Sequence, residues 1–213
     1  MKRADWYFDF ISPYSYLQFA EIPRLRASFE IRLQPILLAG LLAHWGQLGP
    51  AEIPPKRSFT YRQVRWLARR RGLPLSLPQA HPFNPLPLLR LAIHLNLSDE
   101  VLNRLFAFVW RDGKIPDDKA AWNQLVAELG VTGADAAIAD EAVKRRLRNN
   151  TEAAIAAGVF GVPTLVIDDM LFWGSDSTQM ACDYALDPAS FAADELRIRQ
   201  LPASAVRKQP ARQ

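Results

Sequence analysis

The stretch Trp6-Tyr7-Phe8-Asp9-Phe10-Ile11-Ser12-Pro13-Tyr14-Ser15-Tyr16-Leu17 changes character at one point, and that change decides the fold. Its first half, 6–11, is short and dense in aromatic and apolar residues, which predicts a buried strand. Ser12-Pro13 then ends the strand and opens a helix. Proline suits the first helical position, where no backbone N–H is needed, and Tyr16, Phe19, Ala20 and Pro23 recur at helical spacing. Pro23 is expected to kink that helix. Residues 31–36 predict a second strand with Pro35 tolerated near its end, so the segment reads as a β-α-β unit whose first turn carries Ser12.

Outward from this unit, residues 38–150 carry long amphipathic segments (58–71, 85–95, 99–111, 119–129 and 134–148) separated by breaks such as Gly72-Leu73-Pro74. This part is helical. A further helix is predicted over 151–157, stopping at Gly158, after which Phe160-Gly161-Val162-Pro163 leads into a β-branched strand at 164–167. Asp168-Asp169 turns the chain into a strand at 170–173, and Gly174-Ser175-Asp176-Ser177 supplies small and acidic residues to cap a following helix. The order is therefore β-α-β, a helical insertion, then α-β-β-α. It predicts an α/β protein with a thioredoxin-like sheet and an all-helical domain inserted after the second strand, and a proline directly before the third strand is where that fold places a cis-proline. Residues 1–37 and 151–201 form the discontinuous sheet domain, 38–150 the helical domain, and 202–213 a loose tail.

Composition excludes several classes of function. The chain has 213 residues, 49% of them hydrophobic, with 26 Lys+Arg against 22 Asp+Glu, a balance too even for a dedicated nucleic-acid binder. Cys182 is the only cysteine, so neither an internal disulfide nor a Cys-x-x-Cys redox pair can form, which fits a reducing, cytoplasmic setting. Asp5 and Asp9 interrupt what would otherwise start as a secretion signal, and the longest apolar run, 36–43, is far below the roughly 18 residues of a membrane span. His44, His81 and His94 lack metal-ligand spacing, and no nucleophile elbow or phosphate loop occurs. Arg65, Arg69, Arg70 and Arg71 read as a solvated helix face, Asn84 and Arg90 as capping or surface residues, and Cys182 as a packing residue.

Four segments in the same order carry a resemblance to a known family: Asp9-Phe10-Ile11-Ser12-Pro13-Tyr14-Ser15-Tyr16-Leu17, then Gly46 with Pro50-Ala51-Glu52-Ile53-Pro54-Pro55-Lys56-Arg57, then Phe160-Gly161-Val162-Pro163-Thr164, and Trp173-Gly174-Ser175-Asp176. Together they resemble the 2-hydroxychromene-2-carboxylate isomerases and kappa-class glutathione transferases of the DsbA-like thioredoxin superfamily. The resemblance implies glutathione as cofactor, bound by Ser12, Pro13, Tyr14, Gln47, Lys56, Val162, Pro163, Ser175 and Asp176, with Ser12 catalytic. In that scheme Val162 pairs with the cysteinyl part, Ser175-Asp176 hold the γ-glutamyl end, and Lys56 and Gln47 contact the remainder. It also implies a homodimer. Two positions depart from the family: Gln47 stands where asparagine is usual, and Ser177 follows Asp176 where arginine is frequent.

The residues themselves support a sulfur borrowed from outside. Relatives of this fold that handle thiols open the first helix with Cys-x-x-Cys, where this chain has Ser12-Pro13-Tyr14-Ser15 and can make no mixed disulfide. A serine hydroxyl at a helix start can donate to a bound thiolate. The dipole is worth ~0.3–1 kcal/mol and the charged hydrogen bond ~1.5–3 kcal/mol, enough to lower the thiol's pKa by roughly one to two. Ser12 also suits a plain helix cap, Pro163 a plain strand start, and Lys56 a plain surface charge. The reaction that the resemblance implies is isomerisation of an aromatic carboxylate, most like 2-hydroxychromene-2-carboxylate: the thiolate adds to a conjugated double bond, rotation follows, and elimination restores both partners. The alternatives are a kappa-class transferase that conjugates an electrophilic substrate, and a non-catalytic thioredoxin-like protein that binds a peptide beside Val162.

Overall fold

The computed structural model describes residues 1–202. Of the tail expected at 202–213, only Pro202 lies within them. In chain order the elements are β1 (Lys2–Phe8), α1 (Pro13–Phe19), α2 (Ile22–Leu25), β2 (Phe29–Pro35), α3 (Leu38–Trp45), a 3-10 turn at Pro50–Glu52, α4 (Pro54–Arg70), α5 (Leu86–His94), α6 (Asp99–Trp110), α7 (Lys119–Glu128), α8 (Ala134–Ala139), α9 (Glu141–Ala156), β3 (Thr164–Ile167), β4 (Met170–Trp173), α10 (Thr178–Leu186) and α11 (Pro188–Arg199). The sheet order is β2-β1-β3-β4, with β1 parallel to β2 and antiparallel to β3, and β3 antiparallel to β4. The two chain ends thus complete one mixed sheet, the DsbA-like arrangement. No helix among the described residues is long and apolar enough to cross a membrane.

Because β1 is central, it is buried on both faces. Ala4, Trp6 and Phe8 point to one side and join a cluster that continues through the insertion to Val64, Leu88, Phe106 and Trp110. Tyr7 points to the other, where Ile36, Leu41, Ala154, Val159 and Val162 close a smaller core under α3 and α9. Gly40 permits this second layer, since a Cβ there would stand 3.1 Å from Thr151 Cγ2 of α9. Asp168 and Asp169 both have positive φ, the backbone that a two-residue β3–β4 hairpin loop requires.

Several elements differ from their sequence reading, each for a physical reason. The first strand ends at Phe8 instead of running to Ile11, because the Asp9 carboxylate takes up the next backbone donors. The first helix stops at Phe19, and Pro23 sits in the first turn of α2, so the chain breaks where a kink was expected. The helices expected at 134–148 and 151–157 are instead the short α8 and one α9 that passes without interruption through residues 150 and 151. Asp140 makes that break by capping α9 through Val143 N–H. From inside α9, Asn150 donates to Pro35 O and Thr151 accepts from Leu37 N–H, which fastens the helix to the end of β2.

The loop between β1 and α1 is held by donors from the insertion. Trp110 Nε1 donates to Phe10 O (2.8 Å), His81 Nε2 lies 2.8 Å from Ile11 O, and Leu38 N–H donates to Asp9 Oδ2 (2.9 Å). Below the loop, Phe106 packs against the rings of Trp6, Phe8, Phe10, Tyr16 and Phe19. Phe106→Ala is expected to cost about 3–5 kcal/mol, the usual range for a fully buried ring, read as a lower urea midpoint. Burial pushes the Asp9 carboxyl from 3.8 up to about 7, against the opposing backbone N–H bonds of Leu38, Ile11 and Phe10. A raised carboxyl binds protons better folded than unfolded, so its contribution is full below pH 3.8 and is lost as pH rises through about 7. The stability of the wild type minus that of Asp9→Asn, from urea titrations, is therefore expected to fall across this window. A flat difference rejects the raised value.

Candidate active site

Ser12 caps α1 as its sequence predicts: its Oγ accepts from Ser15 N–H at 3.3 Å. The same hydroxyl donates to Val162 O at 3.1 Å, across 150 residues of chain. Only 6% of Ser12 is exposed, and Pro13 is buried behind it at the first helical position. Ser15, where the second cysteine of a dithiol would stand, is buried and its Oγ has no partner among the described residues. The Val162-Pro163 bond is cis. Pairing of Val162 with the cysteinyl backbone, which the resemblance implies, asks both its N–H and its C=O to face outward. The carbonyl instead meets Ser12, because that hydroxyl accepts from Ser15 and its proton needs an acceptor of its own. The Val162 N–H has no acceptor among the described residues.

Behind Pro163, two glycines set the shape of the chain. A Cβ on Gly161 would stand 2.6 Å from Trp173 Nε1, so only glycine lets the indole lie across this turn. Trp173 meets Phe160 edge-on at 5.1 Å, and both rings remain partly exposed. Gly174 has φ +89 and donates its N–H to Pro163 O at 2.8 Å, which brings the segment after β4 beside the cis-proline. Gln18 of α1 clamps the same segment through Gly174 O (3.0 Å) and Thr178 Oγ1 (2.9 Å), and is itself oriented by Trp6 Nε1 (2.8 Å). Gln18 carries no motif, and nothing in the sequence marked it.

Ser175 is buried, whereas Asp176 is exposed. The expected capping of the next helix does not occur: the N-cap of α10 is Ser177, with no side-chain cap bond. The Asp176 carboxylate lies over Gly174 and forms no ion pair among the described residues. Tyr14 connects it to the insertion. The Tyr14 hydroxyl donates to Gln63 Oε1 at 2.6 Å, and its pKa is raised first by burial and then by the Asp176 charge, with the Thr60 hydroxyl opposing.

The remaining predicted residues stand apart from this group. Gln47 follows Gly46, which ends α3 in the left-handed conformation; Gln47 is exposed and its N–H donates to Leu42 O. Lys56 is exposed in the first turn of α4, one helical stripe with Thr60 and Gln63. Structure thus gathers Ser12, Pro13, Tyr14, Val162, Pro163, Ser175 and Asp176, and gives Gln47 and Lys56 no side-chain bond to any of them. No cluster of His, Cys, Asp or Glu fit for a metal occurs among the described residues.

Sequence reasoning missed a second group on the insertion side of Ser12. Tyr61 Oη lies 2.9 Å from His81 Nδ1, and His81 Nε2 reaches the carbonyl of Ile11, the residue before Ser12. A carbonyl only accepts, so Nε2 carries the proton and Nδ1 accepts from Tyr61. Burial lowers the pKa of His81, against the Ile11 carbonyl bond and with help from the Arg57 charge, so the ring stays neutral at pH 7. As a pair one turn apart on α4, Arg57 and Tyr61 were the only signal in the sequence.

With this geometry in view, comparison with known proteins is informative. The DSBA-like thioredoxin domain family matches residues 3–185. Glutathione S-transferase kappa 2 of Caenorhabditis elegans is 30% identical, covering 88% of this chain and 93% of the relative. A 2-hydroxychromene-2-carboxylate isomerase of Pseudomonas putida is also 30% identical, covering 81% of this chain and 89% of the relative. A solved structure of a 2-hydroxychromene-2-carboxylate isomerase superimposes with a TM-score of 0.74 at 27% identity, covering 90% of this chain and 98% of that one.

Proposed function

Since the chain belongs to the DSBA-like thioredoxin family, among the 2-hydroxychromene-2-carboxylate isomerases and kappa-class glutathione transferases, we propose that it is a glutathione-dependent isomerase of an aromatic carboxylate. One observation carries this reading. The residue at the redox position is a buried serine whose hydroxyl can donate, and the only cysteine lies elsewhere, on α10. The reactive sulfur must then arrive with a small thiol.

The pocket fits glutathione on several counts. Val162 offers a buried, unpaired N–H to a peptide backbone, as an added strand would use it. Asp176, exposed and without an ion-pair partner among the described residues, suits an α-ammonium group, with Ser175 beside it. In this reading Lys56 and Gln47, both exposed, take the other end of the tripeptide. In this reading Pro13 and Tyr14, next to Ser12 at the start of α1, line the bound thiol, and burial raises the pKa of Tyr14 further above neutrality. When bound, glutathione supplies a thiolate able to add reversibly to a conjugated double bond.

The work of the chain is to keep that sulfur ionised and oriented. Rotation of the Ser12 O–H away from Val162 O turns the proton toward the incoming sulfur, while Ser15 N–H continues to hold Oγ in place. The carbonyl left behind is then free to accept from the bound backbone. Trp173, lying across Gly161, and Phe160 give the pocket an apolar edge that limits water. The same reading makes the protein a cytoplasmic homodimer, in keeping with a single free cysteine and a reducing compartment.

The similarity to the nematode kappa-class enzyme favours a second reading, in which the same sulfur attacks an electrophile and stays attached. Consumption of glutathione during turnover separates the two. Ser12→Ala is expected to keep the circular dichroism of the wild type while kcat/KM for isomerisation of 2-hydroxychromene-2-carboxylate falls roughly 10- to 100-fold, the worth of one charged hydrogen bond. The ultraviolet absorbance of bound thiolate at neutral pH is expected with wild type and not with the variant. Unchanged turnover rejects the role of Ser12.

A further inference from the structure

Helix α4 presents two stripes to the region of Ser12. Lys56, Thr60 and Gln63 follow one another at i, i+4, i+7, and the last two meet Tyr14 on the Asp176 side. Arg57 and Tyr61, rotated by about 100° on the helix, meet His81 on the other side, against the Ile11 carbonyl. The first stripe lies on the Tyr14 side of Ser12, assigned above to glutathione. The second lies on the side of His81 and Ile11 O, and nothing yet described uses it.

Arg57 is fixed there by its neighbours. Its Nε donates to Tyr61 Oη at 3.3 Å, and its guanidinium lies 5.7 Å from the centre of the Tyr61 ring. Tyr61 has its own proton directed to His81 Nδ1, so its oxygen is oriented to accept from Arg57. With Nε engaged, both terminal amino groups of the guanidinium point away from the tether. Arg57 is exposed and, like Arg62 and Arg65 on the same helix, pairs with no carboxylate among the described residues; what sets it apart is the tether to Tyr61. Next to the guanidinium the Tyr61 ring meets His81 edge-on, and His81 in turn packs against the buried rings of Phe83 and Trp110. A planar, doubly donating cation next to aromatic edges matches a flat ring bearing a carboxylate.

We infer that Arg57, tethered through Tyr61 and His81 to the loop that carries Ser12, receives the carboxylate of the aromatic substrate. Arg57 is then the group that selects an acid over a neutral analogue, and Tyr61 and His81 are positioning residues. The continuous path from guanidinium to phenol to imidazole to Ile11 O ties the place of the substrate's charge to the place of the hydroxyl. This inference rests on the proposed function for the class of substrate, but its test needs no turnover.

Calorimetric titration of the full chain, saturated with glutathione, compares unreactive salicylate with its neutral amide. Wild type is expected to bind the acid about tenfold or more tightly than the amide, as a bidentate charged pair does. Arg57→Gln should abolish that preference with the affinity for glutathione unchanged. Arg57→Lys should restore part of it, and Tyr61→Phe should reduce it without removing it. Equal binding of acid and amide by wild type, or no binding of either, overturns the inference. So does an Arg57→Gln variant that loses glutathione and keeps the acid preference, which would place the guanidinium on the tripeptide instead. Loss of the preference in Arg57→Gln, together with normal turnover by Ser12→Ala, upholds Arg57 and rejects only the role given to Ser12.

Discussion

Three hydrogen bonds from one inserted segment to four residues of loop are the constraint on which the site depends. Leu38, His81 and Trp110 belong to the stretch between β2 and α9, and they reach Asp9 Oδ2, Ile11 O and Phe10 O respectively. These polar groups lie at the end of a central strand, where water is excluded, so each needs a partner. A bare β-α-β unit has none to offer. The insertion supplies them and drives Phe106 under the loop, so the direction of the Ser12 hydroxyl is a property of the insertion as much as of the helix it caps. The buried cluster that unites the first face of the sheet with the helices of the insertion is the apolar counterpart of these bonds.

Much of this was legible in the sequence because it follows from local rules. A proline after serine, the hairpin at Asp168-Asp169 and the apolar run after Pro163 each specify their own structure within a few residues. The element order then leaves one sheet as the way to pair four strands. What the sequence did not reveal depends on partners far along the chain. Phe10 and Ile11 look like strand residues, and only the bonds from Leu38 and Trp110 show that they belong to a turn. Helix α3 reads only as an apolar run too short to span a membrane, until α9 covers it. Asp176 looks like a cap, although the hydroxyls of Ser177 and Thr178 bond back to Gly174 O and Ser175 O and leave the carboxylate outside.

The same contrast separates the two halves of the pocket. Residues on the Val162 and Asp176 side sit in short motifs, since cis-proline and glycine conformations demand particular residue types. On the other side, Arg57, Tyr61 and His81 meet through side chains alone, from a helix and a loop 20 residues apart, and any of them read singly is an ordinary surface or packing residue. Side-chain constellations of this kind have no backbone signature.

Chemistry also explains why a hydroxyl at position 12 is more than a missing thiol. A cysteine there, once ionised, would be an acceptor only, and would repel a second thiolate brought to the same helix start. Serine keeps both functions: Ser15 N–H holds the oxygen and leaves the proton to be directed, toward Val162 O or toward an external sulfur. Ser15 in place of the second cysteine removes any internal resolving thiol, so a bound sulfur has no disulfide to form and its nucleophilicity is preserved for carbon. An isomerisation, which returns every electron it uses, suits such a site, and so does a conjugation. A dithiol exchange does not, because the chain offers no second sulfur at the place where exchange would occur.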